Sequence, residues 1–322
     1  MTGLAFATDR VARTDTPFAR DVLAGLARRG RCVPSRWLYD HRGSELFEEI
    51  TFLDAYYLTR AEIRILERFA PEIGPLAGPR ATVVEFGSGS GRKTPLLLSA
   101  LDRPGLYVPV DISAQFLIES VGALKSIYPR LPVQPVIGDI TSLHTLALPP
   151  ASHGRRVGFF PGSSIGNYTP DAAANLLVRF GRILGPGSLL LVGADATQDP
   201  ARLLPAYDDA RGLGAAFHRN LLTRINRELA GDFALDRFAH EVRWDAQERC
   251  LEQHLVAREA HTVEVLGRSF HFAEGEGLLT ECAYQHGALR FQAIARQAGW
   301  QTRRVFSEAA TQFNLYLLEL GA

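Results

Sequence analysis

Val83-Val84-Glu85-Phe86-Gly87-Ser88-Gly89-Ser90-Gly91-Arg92-Lys93-Thr94 is the stretch on which the fold assignment turns. A short apolar run passes through an acid, glycines follow at every second position, and a helix-forming segment begins. The pattern predicts a buried strand that breaks into a tight loop against a helix start. Glycines there let the backbone lie close to a ligand where a Cβ would collide. The spacing is G-x-G-x-G. It is neither the G-x-G-x-x-G dinucleotide fingerprint nor a phosphate loop, which ends in G-K-[ST]. An acid just ahead of the glycines, Glu85, repels a phosphate and suits a cationic or zwitterionic ligand. A glycine-rich turn in any α/β fold would look the same from these residues alone.

Downstream the pattern alternates between strand and helix. Strands are expected at Thr82–Phe86, Leu106–Val110, Pro132–Ile137, Arg156–Phe160 and Ser188–Gly193, and helices at Lys93–Ala100, Ala114–Tyr128 and Asp171–Leu184. Short apolar strands alternating with helices imply a parallel sheet covered on both faces. Ligands of such sheets bind outside the strand carboxyl ends. Three successive tips carry Glu85 with Gly87 and Gly89, then Asp111, then Asp139 with Ile140. Asp111 is placed to bind ribose hydroxyls. Asp139 can hold an adenine amino group while Ile140 covers the ring face. The set favours S-adenosylmethionine, which joins an adenosyl group to an amino-acid end and a sulfonium, and leaves a nicotinamide cofactor open. Lys93 stands out because only it and Lys125 are lysines in an arginine-rich chain. At the fourth tip, Gly162-Ser163-Ser164-Ile165-Gly166-Asn167 forms an open platform, with Asn167 able to donate and accept.

Upstream, Phe18–Leu26 reads as an amphipathic helix, Ser44 as the cap of a short one, and Thr59 with Glu62 as a capping box for a helix over Ala61–Phe69 that stops before Pro71. After Asp195 come two helices, Asp199–Tyr207 and Gly214–Leu229. Period-2 segments follow at Ala239–Asp245, Cys250–Ala260, His261–Val265 and Arg268–Phe272, which predict an inserted α+β unit. A helix at Gly287–Ala298 and a hairpin of Gln301–Phe306 with Phe313–Leu318 then return to the sheet edge. The expected fold is α/β: a Rossmann-like, seven-stranded mixed sheet, whose terminal antiparallel strand matches the class I methyltransferase arrangement by analogy, with a second, α+β unit inserted after the fifth strand.

Bulk properties exclude several classes. The formal net charge is zero with no basic stripe, so nucleic acid has no electrostatic support. No apolar run is long enough to span a bilayer and no leader pattern opens the chain, so a cytoplasmic location without membrane attachment is expected. Cys32, Cys250 and Cys282 are scattered and odd in number, which suits neither a disulfide framework nor a metal site. The histidines lack metal spacing and are expected in structural roles. No metal is expected.

Several segments together resemble one family: Leu38-Tyr39-Asp40-His41-Arg42-Gly43-Ser44, Tyr56-Tyr57-Leu58-Thr59-Arg60, the glycine loop, Gly162–Asn167, Tyr207-Asp208-Asp209-Ala210 and Asn226-Arg227-Glu228-Leu229. The chain is similar to the histidine-specific, S-adenosylmethionine-dependent methyltransferases of ergothioneine biosynthesis, which convert L-histidine to its trimethyl betaine, hercynine. The resemblance runs from about residue 15 to the C-terminus, and it implies a substrate-binding domain of residues 1–60 and 197–286 and an S-adenosylmethionine-binding methyltransferase domain of residues 61–196 and 287–322. It implies cofactor contacts at Gly87, Lys93, Asp111 and Asp139, and Tyr39 and Tyr56 near the amine. It implies Asn167 and Tyr207 on the substrate carboxylate, and Glu281 as the acid that recognises the imidazole. The chain departs from the family at Ala283, where a serine is usual, at Gln285, where a lysine is frequent, at Leu58, which replaces a proline, and at Gln253, which replaces a methionine. Ala283 removes a hydroxyl that could bind an imidazole nitrogen, and the Gln253 amide could restore that bond from another direction. The resemblance implies a monomeric enzyme with a free amino acid as its small-molecule partner and S-adenosylhomocysteine as product. The rivals are the same chemistry on another amino acid or biogenic amine, and a non-catalytic ligand-binding protein on the same fold.

Overall fold

Thr82–Phe86 forms β1, with all five side chains buried, as the apolar run requires. The computed structural model describes residues 15–150, 154–308 and 310–321; the opening residues, on which the absence of a leader was judged, lie outside them. β1 is followed by α4 (Thr94–Ala100), β2 (Leu106–Asp111), α5 (Ala114–Ile127), β3 (Val136–Ile137), β4 (Arg156–Phe160), α6 (Pro170–Leu184) and β5 (Leu189–Asp195). The chain returns to this sheet through α9 (Ala288–Gln297), β11 (Trp300–Glu308) and β12 (Phe313–Leu320). The seven strands lie in the order β11-β12-β5-β4-β1-β2-β3. β3, β2, β1, β4 and β5 pair in parallel, and β12 runs antiparallel between β5 and β11. This is the class I methyltransferase sheet.

One core cluster of this unit lies between the sheet and α6 and α9. Phe86 and Phe180 stack at 3.8 Å between ring centroids, with Phe160 edge-on to Phe180 at 5.2 Å. Trp300 is buried and donates its indole N–H to the Leu177 carbonyl at 3.0 Å. Each such side chain contributes roughly 1.5–3 kcal/mol by leaving water.

Two elements differ from expectation. β3 is only two residues long, because Pro132 and Pro135 lack the N–H groups that a longer ladder needs. Gln134 and the Pro132 carbonyl still bond to Tyr107, so the segment tracks β2 without forming a strand. The helix expected to stop before Pro71 is α3 (Tyr57–Ala77), which runs through Pro71 and Pro75. Ala70, Ile73, Gly74 and Ala77 are buried beyond the first proline, so the apolar face outweighs the lost bonds. Gly74 has no room for a Cβ, which would stand 1.9 Å from the Ala100 carbonyl oxygen. Thr59 and Glu62 therefore lie inside α3, which starts after Tyr56, and form no capping box.

The chain divides into two compact units, one made of the N-terminal residues through Ile50 with Leu203–Cys282, the other of Thr51–Arg202 with Ala283–Ala322. The first carries α1 (Pro17–Ala27), most of α2 (His41–Thr51), α8 (Leu213–Leu229), the β6–β7 hairpin (Phe238–Asp245 and Cys250–Ala257) and the β8–β9 hairpin (His261–Val265 and Arg268–Phe272). β10 (Gly277–Tyr284) adds to β7, and α7 (Pro200–Tyr207) leads into α8. Asp40, not Ser44, caps α2: its Oδ1 accepts from the Gly43 N–H at 2.9 Å. Gly212 is the N-cap of α8, and Asp209, three residues earlier, accepts from Leu213 and Gly214 N–H at 3.1 and 2.7 Å.

Candidate active site

The carboxyl edge of the large sheet is stitched together by backbone bonds. Gly87 N–H donates to the Val110 carbonyl at 2.8 Å, and Gly138 N–H to the Asp111 carbonyl at 2.9 Å. Three strand tips, carrying Gly87, Asp111 and Asp139, therefore lie side by side. Gly87, Gly89 and Gly91 have φ of 72°, 51° and 70°, the left-handed region that glycine alone enters freely. A Cβ added at Gly87 or Gly89 would meet nothing within 4 Å, so the loop is left-handed without being crowded by the fold and offers a cradle for a ligand.

The acids on this edge hold the loops in place. Asp111 accepts from Gly89 N–H at 2.8 Å and from Ser113 N–H at 2.9 Å. Burial raises its pKa, and those backbone donors pull it back. Each carboxylate oxygen keeps a further lone pair, so Asp111 can serve the loop and a pair of hydroxyls together. Asp139 Oδ1 accepts from Thr141 N–H at 2.8 Å and its hydroxyl at 2.7 Å. Ile140 is half-buried and packs against the core. Glu85 is turned into the fold. Its Oε2 accepts from Thr94 Oγ1 and Tyr107 OH, both at 2.7 Å. Burial pushes its pKa up to about 7, against those hydrogen bonds and the Lys93 charge.

Beside the loop, Lys93 Nζ lies 2.6 Å from Glu62 Oε2, which also accepts from Gly162 N–H at 2.8 Å. Ser163, left-handed at φ 61°, accepts from Asp195 N–H at 2.9 Å and ties the β4 tip to β5. Asn167 ends the short helix Ser164–Asn167. Tyr56 is buried immediately ahead of α3, while Tyr57 donates to Asp195 at 2.5 Å. The adjacent tyrosines thus divide: one is fixed to a carboxylate whose burial raises its pKa to about 6, the other borders the helix start. Ala283 is buried near the end of β10, and its carbonyl accepts from the Gln285 amide at 3.3 Å.

In the first unit Gln253 and Glu281 meet. The Gln253 amide donates to Glu281 Oε2 at 2.6 Å, and its Oε1 accepts from His240 Nε2 at 3.3 Å. Thr280 Oγ1 donates to the Gln253 carbonyl at 2.9 Å, so it must accept from His218 Nδ1, 2.7 Å away. His218 Nε2 then carries a lone pair, 3.9 Å from Glu281 Oε2. Burial, then the neighbouring His240, holds the His218 pKa well below its ordinary value, which fits a neutral ring. His218 and His240 stack at 4.9 Å. Tyr39 packs edge-on against Phe47 and Phe217 at 5.5 and 5.3 Å, and Tyr207 ends α7. Asp40, next to Tyr39, accepts from Arg227 at 2.7 Å and Asn220 at 2.7 Å, which joins two of the segments singled out in the sequence.

Sequence reasoning missed Glu62, His218 and His240. Glu62 was absorbed by a capping pattern, and the histidines had only the absence of metal spacing to judge by. Glu62 pairs with residues 31 and 100 positions away and His218 with one 62 positions away, while His240 reaches Gln253 across the β6–β7 hairpin.

A family profile described as histidine-specific methyltransferase, SAM-dependent, matches residues 18–320. The chain is 40% identical over 303 residues to the histidine N-alpha-methyltransferase of Mycolicibacterium smegmatis, covering 92% of this chain and 93% of that protein. It is 39% identical over 305 residues to the protein of the same name from Mycobacterium tuberculosis, with 92% and 93% covered. Ergothioneine biosynthesis protein 1 of Neurospora crassa is 37% identical over 208 residues, which span 63% of this chain and 24% of that protein. With its glycine cradle, acidic strand tips and antiparallel seventh strand, the chain belongs to the histidine-specific methyltransferase family and is an S-adenosylmethionine-dependent N-methyltransferase.

Proposed function

We propose that the chain methylates the α-amino nitrogen of a free amino acid, L-histidine, three times, giving hercynine. The observation that carries the histidine reading is the buried Glu281 carboxylate, oriented by Gln253, which suits a side chain with an N–H donor. The names of the relatives that align over nearly the whole chain point the same way.

The roles are those that the family resemblance implies, and the chemistry of the residues suits them. S-adenosylmethionine, when bound, supplies a methyl group on a positively charged sulfur. Gly87 and Gly89 let the backbone approach it, Lys93 takes its carboxylate, Asp111 its ribose, and Asp139 with Ile140 its adenine. Glu85 supports the loop from behind through Thr94 and Tyr107. Residues 61–196 and 287–322 form the cofactor domain, and 1–60 with 197–286 the substrate domain. Asn167 and Tyr207 hold the substrate carboxylate and leave the nitrogen free to turn between rounds. Tyr39 and Tyr56 face the nitrogen. A neutral phenol suits this place, because a carboxylate would stabilise the unreactive ammonium. Alignment of nitrogen, carbon and sulfur can supply roughly 7–11 kcal/mol of barrier reduction in well-oriented cases. Tyrosine faces attract the methylated cation by about 0.5–2 kcal/mol.

Ala283 and Gln253 favour one second reading, the same transfer to a different amino acid. A panel of the twenty amino acids with methyl-labelled S-adenosylmethionine, read by mass spectrometry, separates the two. Histidine should be methylated in preference to all others. Turnover of another amino acid with none of histidine would install the second reading, and no turnover at all would overturn both.

A further inference from the structure

Glu62 sits on the buried face of α3 with no exposed surface. A carboxylate so placed needs partners, because burial without them is expensive. Its Oε2 receives Lys93 Nζ at 2.6 Å and Gly162 N–H at 2.8 Å. Its Oε1 lies against β5, where a Cβ built on Gly193 would stand 2.1 Å away. One side chain therefore reaches the residues that follow β1 and β4 and the backbone of β5. Lys93 keeps 14% of its side chain exposed. A Cβ on Gly162 would lie 3.6 Å from Nζ, so the ammonium is held between the glycine loop and the β4 tip.

Stability alone does not call for an acid at this position. A buried ion pair is often no better than neutral groups of the same shape, and a glutamine would fill the space and accept from Gly162. Among the described residues, the charge of Glu62 is matched by Lys93 alone. A lysine left unpaired is a flexible chain that must be immobilised when a ligand arrives. Glu62 uses one of its three ammonium donors and leaves the others to point from a fixed position.

We propose that Glu62 is a positioning residue for cofactor binding: it fixes the Lys93 ammonium beside the glycine loop, where it meets the carboxylate of the amino-acid end of S-adenosylmethionine. This rests on the proposed role of Lys93, and the experiment separates the two. Binding of S-adenosylhomocysteine and of methylthioadenosine, which lacks the amino-acid end, is measured by calorimetry on wild type, Glu62→Gln, Lys93→Met and the double variant, with a thermal melt of each apo protein. Glu62→Gln should weaken S-adenosylhomocysteine about tenfold, the loss of one hydrogen bond to a charged group. Methylthioadenosine should bind each variant as it binds wild type. In the Lys93→Met background the glutamine should cost nothing further. If Lys93→Met leaves S-adenosylhomocysteine binding intact, the role of Lys93 falls, and this proposal with it. If Lys93→Met weakens binding and Glu62→Gln does not, or if both ligands weaken together, Glu62 does not position Lys93. Should Glu62→Gln fail to fold, Glu62→Asp tests the same point. It keeps the charge but draws the carboxylate back, and it should also weaken S-adenosylhomocysteine alone; equal loss of both ligands would overturn the proposal.

Discussion

Replacing Glu85 with glutamine should stabilise the chain above pH 7 and leave it nearly unchanged at about pH 4. The carboxylate is fully buried, with Thr94 and Tyr107 donating to it at 2.7 Å. Burial raises its pKa from 4.5 to about 7 in the folded chain. Between those values the folded state binds more protons than the unfolded one, so stability falls as pH rises through the window and levels off above it. At 1.36 kcal/mol per unit the shift amounts to about 3 kcal/mol. Glutamine keeps the acceptor and the shape and carries no charge, so it escapes that loss. Urea unfolding of wild type and Glu85→Gln from about pH 4 to about pH 8 reads the effect directly. The difference in unfolding free energy should grow from near zero to about 3 kcal/mol with the slope against urea unchanged. Asp195, whose pKa burial raises to about 6, is common to both proteins and cancels. A difference that does not vary with pH would refute the reasoning, because it would mean that Glu85 ionises as an ordinary surface carboxylate does.

Asn167→Ala should raise the KM for histidine about tenfold or more while S-adenosylhomocysteine binding stays within a few-fold of normal; equal loss of both would place Asn167 elsewhere. Gln253→Leu removes the donor 2.6 Å from Glu281 and should raise the KM for histidine with little change in that for S-adenosylmethionine, measured by steady-state kinetics; an unchanged histidine KM would free Glu281 from any dependence on it. Asp40→Asn keeps the cap, since asparagine caps as well as aspartate, but removes the charge paired with the half-exposed Arg227, and should lower stability at neutral pH by up to about 1 kcal/mol. Burial raises the Asp40 pKa, but Arg227, the Gly43 N–H and Asn220 outweigh that and hold it below the usual range. Its contribution is present above the ordinary carboxylate value and lost as pH falls through the lowered one, so the two proteins should converge in acid.

The sheet was legible because its signals are local. Apolar strands, the glycine loop and the turn at Gly185–Gly187 each announce themselves within a few residues, and the parallel arrangement then aligns the tips that carry Gly87, Asp111 and Asp139. The misjudged boundaries were contests between local rules and packing. Pro71 and Pro75 break a helix in isolation, yet the apolar face of α3 continues past both. Pro135 sits in a run that reads as a strand, yet it removes a ladder bond. Glu62 shows the limit for the site. Its spacing from Thr59 fits a capping box, while its actual partners are 31 and 100 residues away. The contact between Gln253 and Glu281, 28 residues apart, depends on how β7 and β10 pair, which no periodicity reveals.

Trimethylation of L-histidine is decided by incubating the protein with L-histidine and methyl-labelled S-adenosylmethionine and following the products by tandem mass spectrometry. One, two and then three labelled methyl groups should accumulate on the α-nitrogen, with none on the imidazole ring and hercynine as the end product. Label on the ring, or histidine recovered unmodified while S-adenosylmethionine is consumed with another amino acid, would contradict it.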